Sequence, residues 1–334
     1  MRTGLRTGRL AGATATAAAG VIALAGCGVG DSDSGSGGAG GELTMATGST
    51  GGTYYPLGSE IAQIWSDNVE GVDVSTQSSG ASVENMRLLD QGENELVMAI
   101  NGVAANAVGG SADFADEPLS DPDAVRTLGN VYPEVLQIVA TADSGIETIG
   151  DLEGKRVDIG PPGSGTAVAA EAVLEAYGMS TDDVETFNGT FEDAASKLSD
   201  GQTDAAFAIL ALPAGSIEQV ATSTDVRLVD ITGDGLEQLT ADNPSYSPLT
   251  IDAGTYSGQD EPAETVTNWA TLYGTSELAE DTAYSLVKEM YERAGDIGHD
   301  VGSQIDLEKA TDGSGSVEIH PGAQRFYEEE GVLE

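Results

Sequence analysis

The chain has one cysteine and two histidines in 334 residues, and only four lysines. A single cysteine excludes an intrachain disulfide framework and a Cys-based zinc cluster. The histidines, His299 and His320, both fall late in the chain and leave little for imidazole catalysis or metal binding. Cations are scarce: 13 Lys and Arg face 56 Asp and Glu, a net charge of −43. Such a chain does not bind nucleic acid by neutralising phosphates, nor anionic lipid through charge. The Gly-Lys-Ser/Thr of a P-loop is missing, as are a dinucleotide fingerprint and a Gly-x-Ser-x-Gly elbow, so nucleotide and serine-hydrolase chemistry lack their local signatures. No Asp-x-Asp-x-Asp-Gly loop is present, and neither a metal nor a cofactor is expected. Carboxylate pairs of the glycosidase kind carry no information among so many acids.

What is present is a protein of ordinary apolar content, 40% hydrophobic, long enough for about two domains. The acids are spread along the chain rather than gathered in a tail. A lysine-poor acidic surface is soluble where salt screens its self-repulsion, which reads as adaptation to a saline exterior.

The N-terminus has its own grammar. Arg2, Arg6 and Arg9 precede a small apolar stretch from Leu10 to Ala25, too short and too rich in Ala and Gly for a membrane span. Leu24-Ala25-Gly26-Cys27 resembles the lipobox of bacterial lipoproteins, whose cysteine is acylated. Cys27 is therefore the expected lipidation site. Residues 1–26 read as a signal peptide and 27–42 as a flexible Gly/Ser/Asp-rich linker. Removing the signal removes three arginines and no acid, taking the charge from −43 to −46.

From Leu43 onward, one pattern occurs twice. A strand at 42–46 leads through the turn Gly48–Thr53 into a helix from Tyr55 to Asp67. A strand at 72–76, a helix over 82–90 ended by Gly92, and a strand at 95–100 follow. The second copy runs through a strand at 155–159, the turn Gly160–Gly165, a helix over 166–177, a strand at 184–187, a helix to Leu198 capped by Thr190, and a strand at 204–209. Strand, glycine turn, helix, strand, helix, strand is an α/β unit. Two copies predict two similar α/β domains, connected through Val131–Ala142 and roughly Asn243–Thr255, the alternative being two such units within one domain. A further helix within 275–293 is expected to pack back on the first domain.

Both glycine turns open a helix, where backbone N–H groups lack partners and the helix dipole favours an anion. Thr53, Ser78, Ser79, Ser164 and Thr166 add hydroxyl donors there, and Tyr54 and Tyr55 add phenols. Arg87, on the 82–90 helix, reads as either a solvated side chain or one reaching the cleft. His320, before Pro321-Gly322, reads as a turn residue, and His299 as a surface group.

Ala46–Gly58, Ser79–Leu89, Asp151–Val157, Gly160–Thr166, Glu175–Gly178, Tyr246–Pro248, Ala253–Tyr256 and His320–Ala323 together resemble the TAXI-type solute-binding proteins of TRAP transporters. The resemblance implies a two-domain, periplasmic-binding-protein-like α/β fold with a central cleft and a hinge. Domain I would be 43–135 with 250–334, and domain II 136–249. It implies a monomeric, non-enzymatic protein on the outer face of the cytoplasmic membrane, capturing a small carboxylate (glutamate, glutamine or a 2-oxoacid) for an ion-coupled TRAP permease. Service to a signalling sensor is the alternative. The ligand contacts it implies are Gly51, Thr53, Tyr54, Tyr55, Ser78, Ser79, Ser164, Gly165 and Thr166, with Phe207 and Pro213 as walls.

The charge imbalance makes a prediction. Raising salt shortens the range of self-repulsion from about 10 Å at 0.1 M to about 3 Å at 1 M. The melting temperature should climb between these conditions in chloride salts. A flat or falling curve contradicts the salt-adaptation reading.

Overall fold

A computed structural model describes residues 41–333. Cys27, the signal peptide and nearly all of the expected linker lie outside the described residues. The first half of the pattern is β1 (Glu42–Ala46), α1 (Tyr54–Asn68), β2 (Asp73–Gln77), α2 (Ser82–Asp90), β3 (Leu96–Ile100) and α3 (Asn101–Gly109). A long strand, β4 (Val125–Thr141), follows. The second half is β5 (Arg156–Asp158), α4 (Gly165–Ala176), β6 (Glu185–Phe187), α5 (Phe191–Ser199) and β7 (Ala205–Leu210). Then come α6 (Gly215–Ser223), β8 (Val226–Leu228), α7 (Gly233–Asp242), β9 (Ser247–Ile251), a second long strand β10 (Ala263–Thr275), α8 (Glu280–Glu292) and α9 (Pro321–Glu329).

The strands form one sheet in the order β2-β1-β3-β10-β4-β7-β5-β6, with β9 beside β10 and β8 beside β4. At each end three strands are parallel: β1 lies between β2 and β3, and β5 between β6 and β7. The middle is antiparallel, β10 pairing with β3 on one side and β4 on the other, and β4 in turn with β7. The helices follow from the βαβ connections, because parallel neighbours need a crossover that buries its apolar stripe on the sheet. In α1 this stripe includes Leu57, Ile61 and Trp65, all fully buried. Gly58 belongs to the same face because a Cβ there would lie 2.8 Å from Thr47 Cγ2. Trp65 Nε1 donates to Leu286 O at 2.7 Å, tying α1 to α8, so the late helix does pack on the first half.

One connection differs from expectation, and two further features lie outside it. The return crossing is β10, further along than the expected Asn243–Thr255, which instead holds β9. Helix α3 carries Gly, Asn, Ala and Val without a periodic apolar face, and it ends on Gly110 in the left-handed region (φ 62°). His320, read as a turn residue, stands at the start of α9 with its side chain buried. It is 1% exposed, caps α9 by accepting from Gly322 N–H at Nδ1 (3.1 Å), and places Nε2 3.0 Å from Leu278 O. Burial holds its pKa below the usual imidazole value.

Within β4, Gly129 sits where the register against β10 shifts. Tyr291 donates to Asn130 O at 2.6 Å and Tyr327 to Leu128 O. A Cβ on Gly129 would meet both phenol oxygens, at 2.5 and 2.2 Å. Gly129→Ala should therefore cost about 2–3 kcal/mol, the usual penalty for overpacking a buried site. Urea unfolding of the two proteins measures it, and an unchanged midpoint contradicts the packing argument.

Candidate functional site

The two glycine turns meet across one cleft. Gly163 O accepts from Val83 N–H and Glu84 N–H at 3.1 and 3.3 Å, so the second turn caps α2 and the cleft is closed. Gly165 lies against the first half as well: a Cβ there would be 2.2 Å from Ile100 Cδ1. Its lack of a side chain is thus a condition of closure. Gly160 (φ +91°) has a second reason to be glycine, since a Cβ would sit 2.8 Å from the Thr166 Cβ. Asp158, buried at the end of β5, accepts from Gly160 N–H at 3.1 Å and pairs with Lys197 at 3.1 Å, which fixes that turn.

Between the turns is a cavity of about 310 Å³, within the usual range for small-molecule sites. Thr53, Tyr54, Ser79, Ser164, Gly165, Thr166 and Phe207 all line it. The other expected contacts do not. Gly51 and Ser78 are exposed, Gly51 lying beside the Glu192 carboxylate. Tyr55 turns away along α1, where its carbonyl accepts from Ser59. Pro213 lines a separate surface hollow with Tyr256 and Glu218. Arg87 does not reach the cleft: its guanidinium donates to the Asp113 and Glu117 carbonyls and stacks 4.8 Å over Phe114.

Ser164 has a structural task. Its hydroxyl accepts from Ala167 N–H at 3.1 Å and donates to Pro161 O at 2.7 Å, capping α4. Among the described hydrogen bonds, the Gly165 and Thr166 N–H groups at the start of α4 have no protein acceptor, nor have those of Tyr54 and Tyr55 at the start of α1. None of the ten lysines and arginines among the described residues lines the cavity. Nine are in ion pairs elsewhere, including Arg156–Asp204 at 2.6 Å and Arg325–Glu280 at 3.0 Å. The tenth, Lys155, donates to Ser144 O.

One lining residue has no local signal in the sequence. Glu134, in β4, is 3% exposed and is the one charged side chain among the described residues around the cavity. Tyr54 donates to its Oε2 at 2.8 Å and Tyr132 to its Oε1 at 2.9 Å. The two rings meet edge to face at 6.3 Å. Burial pushes the Glu134 carboxyl up from 4.5 to about 7, against the lowering effect of the two phenols. Burial also drives both phenols well above their ordinary values, so they remain donors.

The chain matches the NMT1-like family over residues 45–331 and belongs to it. A solved protein from Bordetella bronchiseptica RB50 shares the fold, with a TM-score of 0.57 over 88% of this chain and 99% of the other at 14% identity. More distant structures include the alkanesulfonate-binding protein SsuA from Xanthomonas axonopodis pv. citri bound to MOPS (17% identity, 85% and 82% covered, TM-score 0.47). The periplasmic aliphatic sulphonate binding protein SsuA from Escherichia coli is another (14% identity, 86% and 78% covered, TM-score 0.44). The fold is a mixed α/β, periplasmic-binding-protein-like fold built on one continuous sheet. The NMT1-like match replaces the TAXI-type TRAP assignment. Two of the stretches behind that assignment, Gly48–Thr53 and Gly160–Thr166, are the turns that open α1 and α4, and they report the fold.

The buried carboxyl makes a prediction for the solute-free protein. Its folded pKa lies above its ordinary value, so the native state holds a proton that the unfolded chain releases. Stability is therefore lost as pH rises from 4.5 to about 7, by roughly 3 kcal/mol at most. Glu134→Gln should flatten that part of the stability–pH curve and raise stability above it. Melts across this range check it, and parallel curves contradict it.

Proposed function

We propose that this NMT1-like protein is an extracytoplasmic receptor, without catalytic activity, that captures a small carboxylate in the cleft and delivers it to a membrane importer. The observation that carries the reading is that Tyr54, Gly165 and Thr166, whose N–H groups have no partner among the described hydrogen bonds, line one cavity that no described lysine or arginine lines. Helix N-termini favour negative charge through aligned peptide dipoles and free donors. Such a site holds an anion without the entropy cost and solvation of a long basic side chain.

In this reading, residues 43–135 with 250–334 form one lobe and 136–249 the other. The lobes open and close about β4 and β10, and the closed form is the one presented to the importer. A solute drives closure only by the amount it binds the closed form better. Cys27 tethers the mature protein through lipid to the outer face of the membrane.

Two substitutions test the mechanism. Thr166→Ala removes a hydroxyl donor from the cavity and should weaken carboxylate binding about tenfold to hundredfold, the worth of one hydrogen bond to a charged group. Gly165→Ala should also weaken it, by placing a methyl group against Ile100 in the closed cleft. Calorimetric titration of a panel of mono- and dicarboxylates into the three proteins decides the matter. If both variants bind as the wild type does, the helix-terminus mechanism is wrong.

A further inference from the structure

We infer that the solute carries a protonated amine as well as its anionic group, and that Glu134 receives that amine, so the cleft selects zwitterions over purely anionic analogues of the same shape. The inference deepens the anion-capture reading and rests on it.

The charge pattern of the cavity supplies the argument. Helix starts that favour an anion and one buried carboxylate line the same 310 Å³ space. No ion pair among the described residues includes Glu134. The titratable groups facing it are Tyr54 from α1, Tyr132 from its own strand and Tyr246 ahead of β9. All three are phenols pushed upward in pKa, and none brings a positive charge. A carboxylate kept this deep without a cation is expensive. The two phenols hold it in place, since each oxygen accepts one of them and keeps a free lone pair toward a further donor. With donors on both oxygens, the group is arranged as an acceptor, and what it lacks is positive charge. An ammonium group provides that charge and up to three donors. A solute that is anionic throughout must instead meet a like charge or wait for the carboxyl to take up a proton.

The test uses two pairs that differ only in amine against hydroxyl: L-glutamate with 2-hydroxyglutarate, and taurine with isethionate. Each is titrated calorimetrically near neutral pH into the wild type and Glu134→Gln. In a pair that binds, the amine member should bind the wild type at least about tenfold more tightly, the worth of a charge-assisted hydrogen bond. Glu134→Gln should lose most of that preference while still binding the hydroxyl member and melting no lower than the wild type. Repeating the titration in buffers of different ionisation enthalpy should show proton release on binding the amine. If the hydroxyl members bind and the amines bind no better, or if Glu134→Gln keeps the preference, anion capture stands and this inference falls. If none of the four binds, the anion-capture reading fails and takes this inference with it.

Discussion

Between Val125 and Val135, β4 runs antiparallel to β10, and every other strand joins the sheet through one of these two. The first half hangs on β10 by way of β3, and the second on β4 by way of β7. Because β4 has 17 residues, one strand belongs to both halves of the sheet. The position of each glycine turn relative to the other is thus set by main-chain hydrogen bonds in the middle of the molecule. The cleft lies where those halves face each other, and Glu134 lies on the strand that joins them. Tyrosines 291 and 327, bonded to carbonyls on either side of Gly129, brace the same strand from the helical layer.

The electrostatics of the cleft follow from how few cations the chain has. The cations among the described residues are committed to acids or carbonyls away from the cavity. Several of these contacts are architectural. Arg156 joins the strand start at β5 to Asp204 ahead of β7, and Lys197 neutralises the buried Asp158 that shapes the Gly160 turn. In the anion-capture reading, peptide dipoles are then what would attract negative charge into the cavity. Their geometry is rigid because the same glycines that open the helices also permit closure. Gly163 O caps α2 while Gly165 packs on Ile100, so closing the cleft satisfies backbone groups that would otherwise face water.

Glu134 stands against this economy. A buried carboxyl with two phenol partners and no cation weakens the empty protein as pH approaches and passes 7. Sites that hold unfavourable charge before their ligand arrives convert part of that cost into affinity for a complementary group.

The residues alone determined the local elements. Strand, glycine turn and helix at 42–68 and again at 155–177 were legible because a helix start, its cap and the positive φ of a turn such as Gly160 are decided within a few residues of chain. The Thr190 cap of α5 and the stops at Gly92 and Gly201 belong to the same class. The N-terminal signals were read in the same way, and they lie outside the described residues. What the tertiary structure decided depends on partners far along the chain. Among 56 acids nothing local distinguishes Glu134; it becomes special when β4 places it under Tyr54, 80 residues away. Gly165 read as a point of ligand approach; it does line the cavity, and Ile100 across the cleft adds a packing reason for glycine that the sequence did not show. Ser78, Pro213 and Arg87 sit on the right segments and face elsewhere, since a strand or helix fixes spacing while long-range packing fixes which side faces the cavity. The family assignment missed for the same reason: short-range geometry specifies how a helix begins, and many families share it.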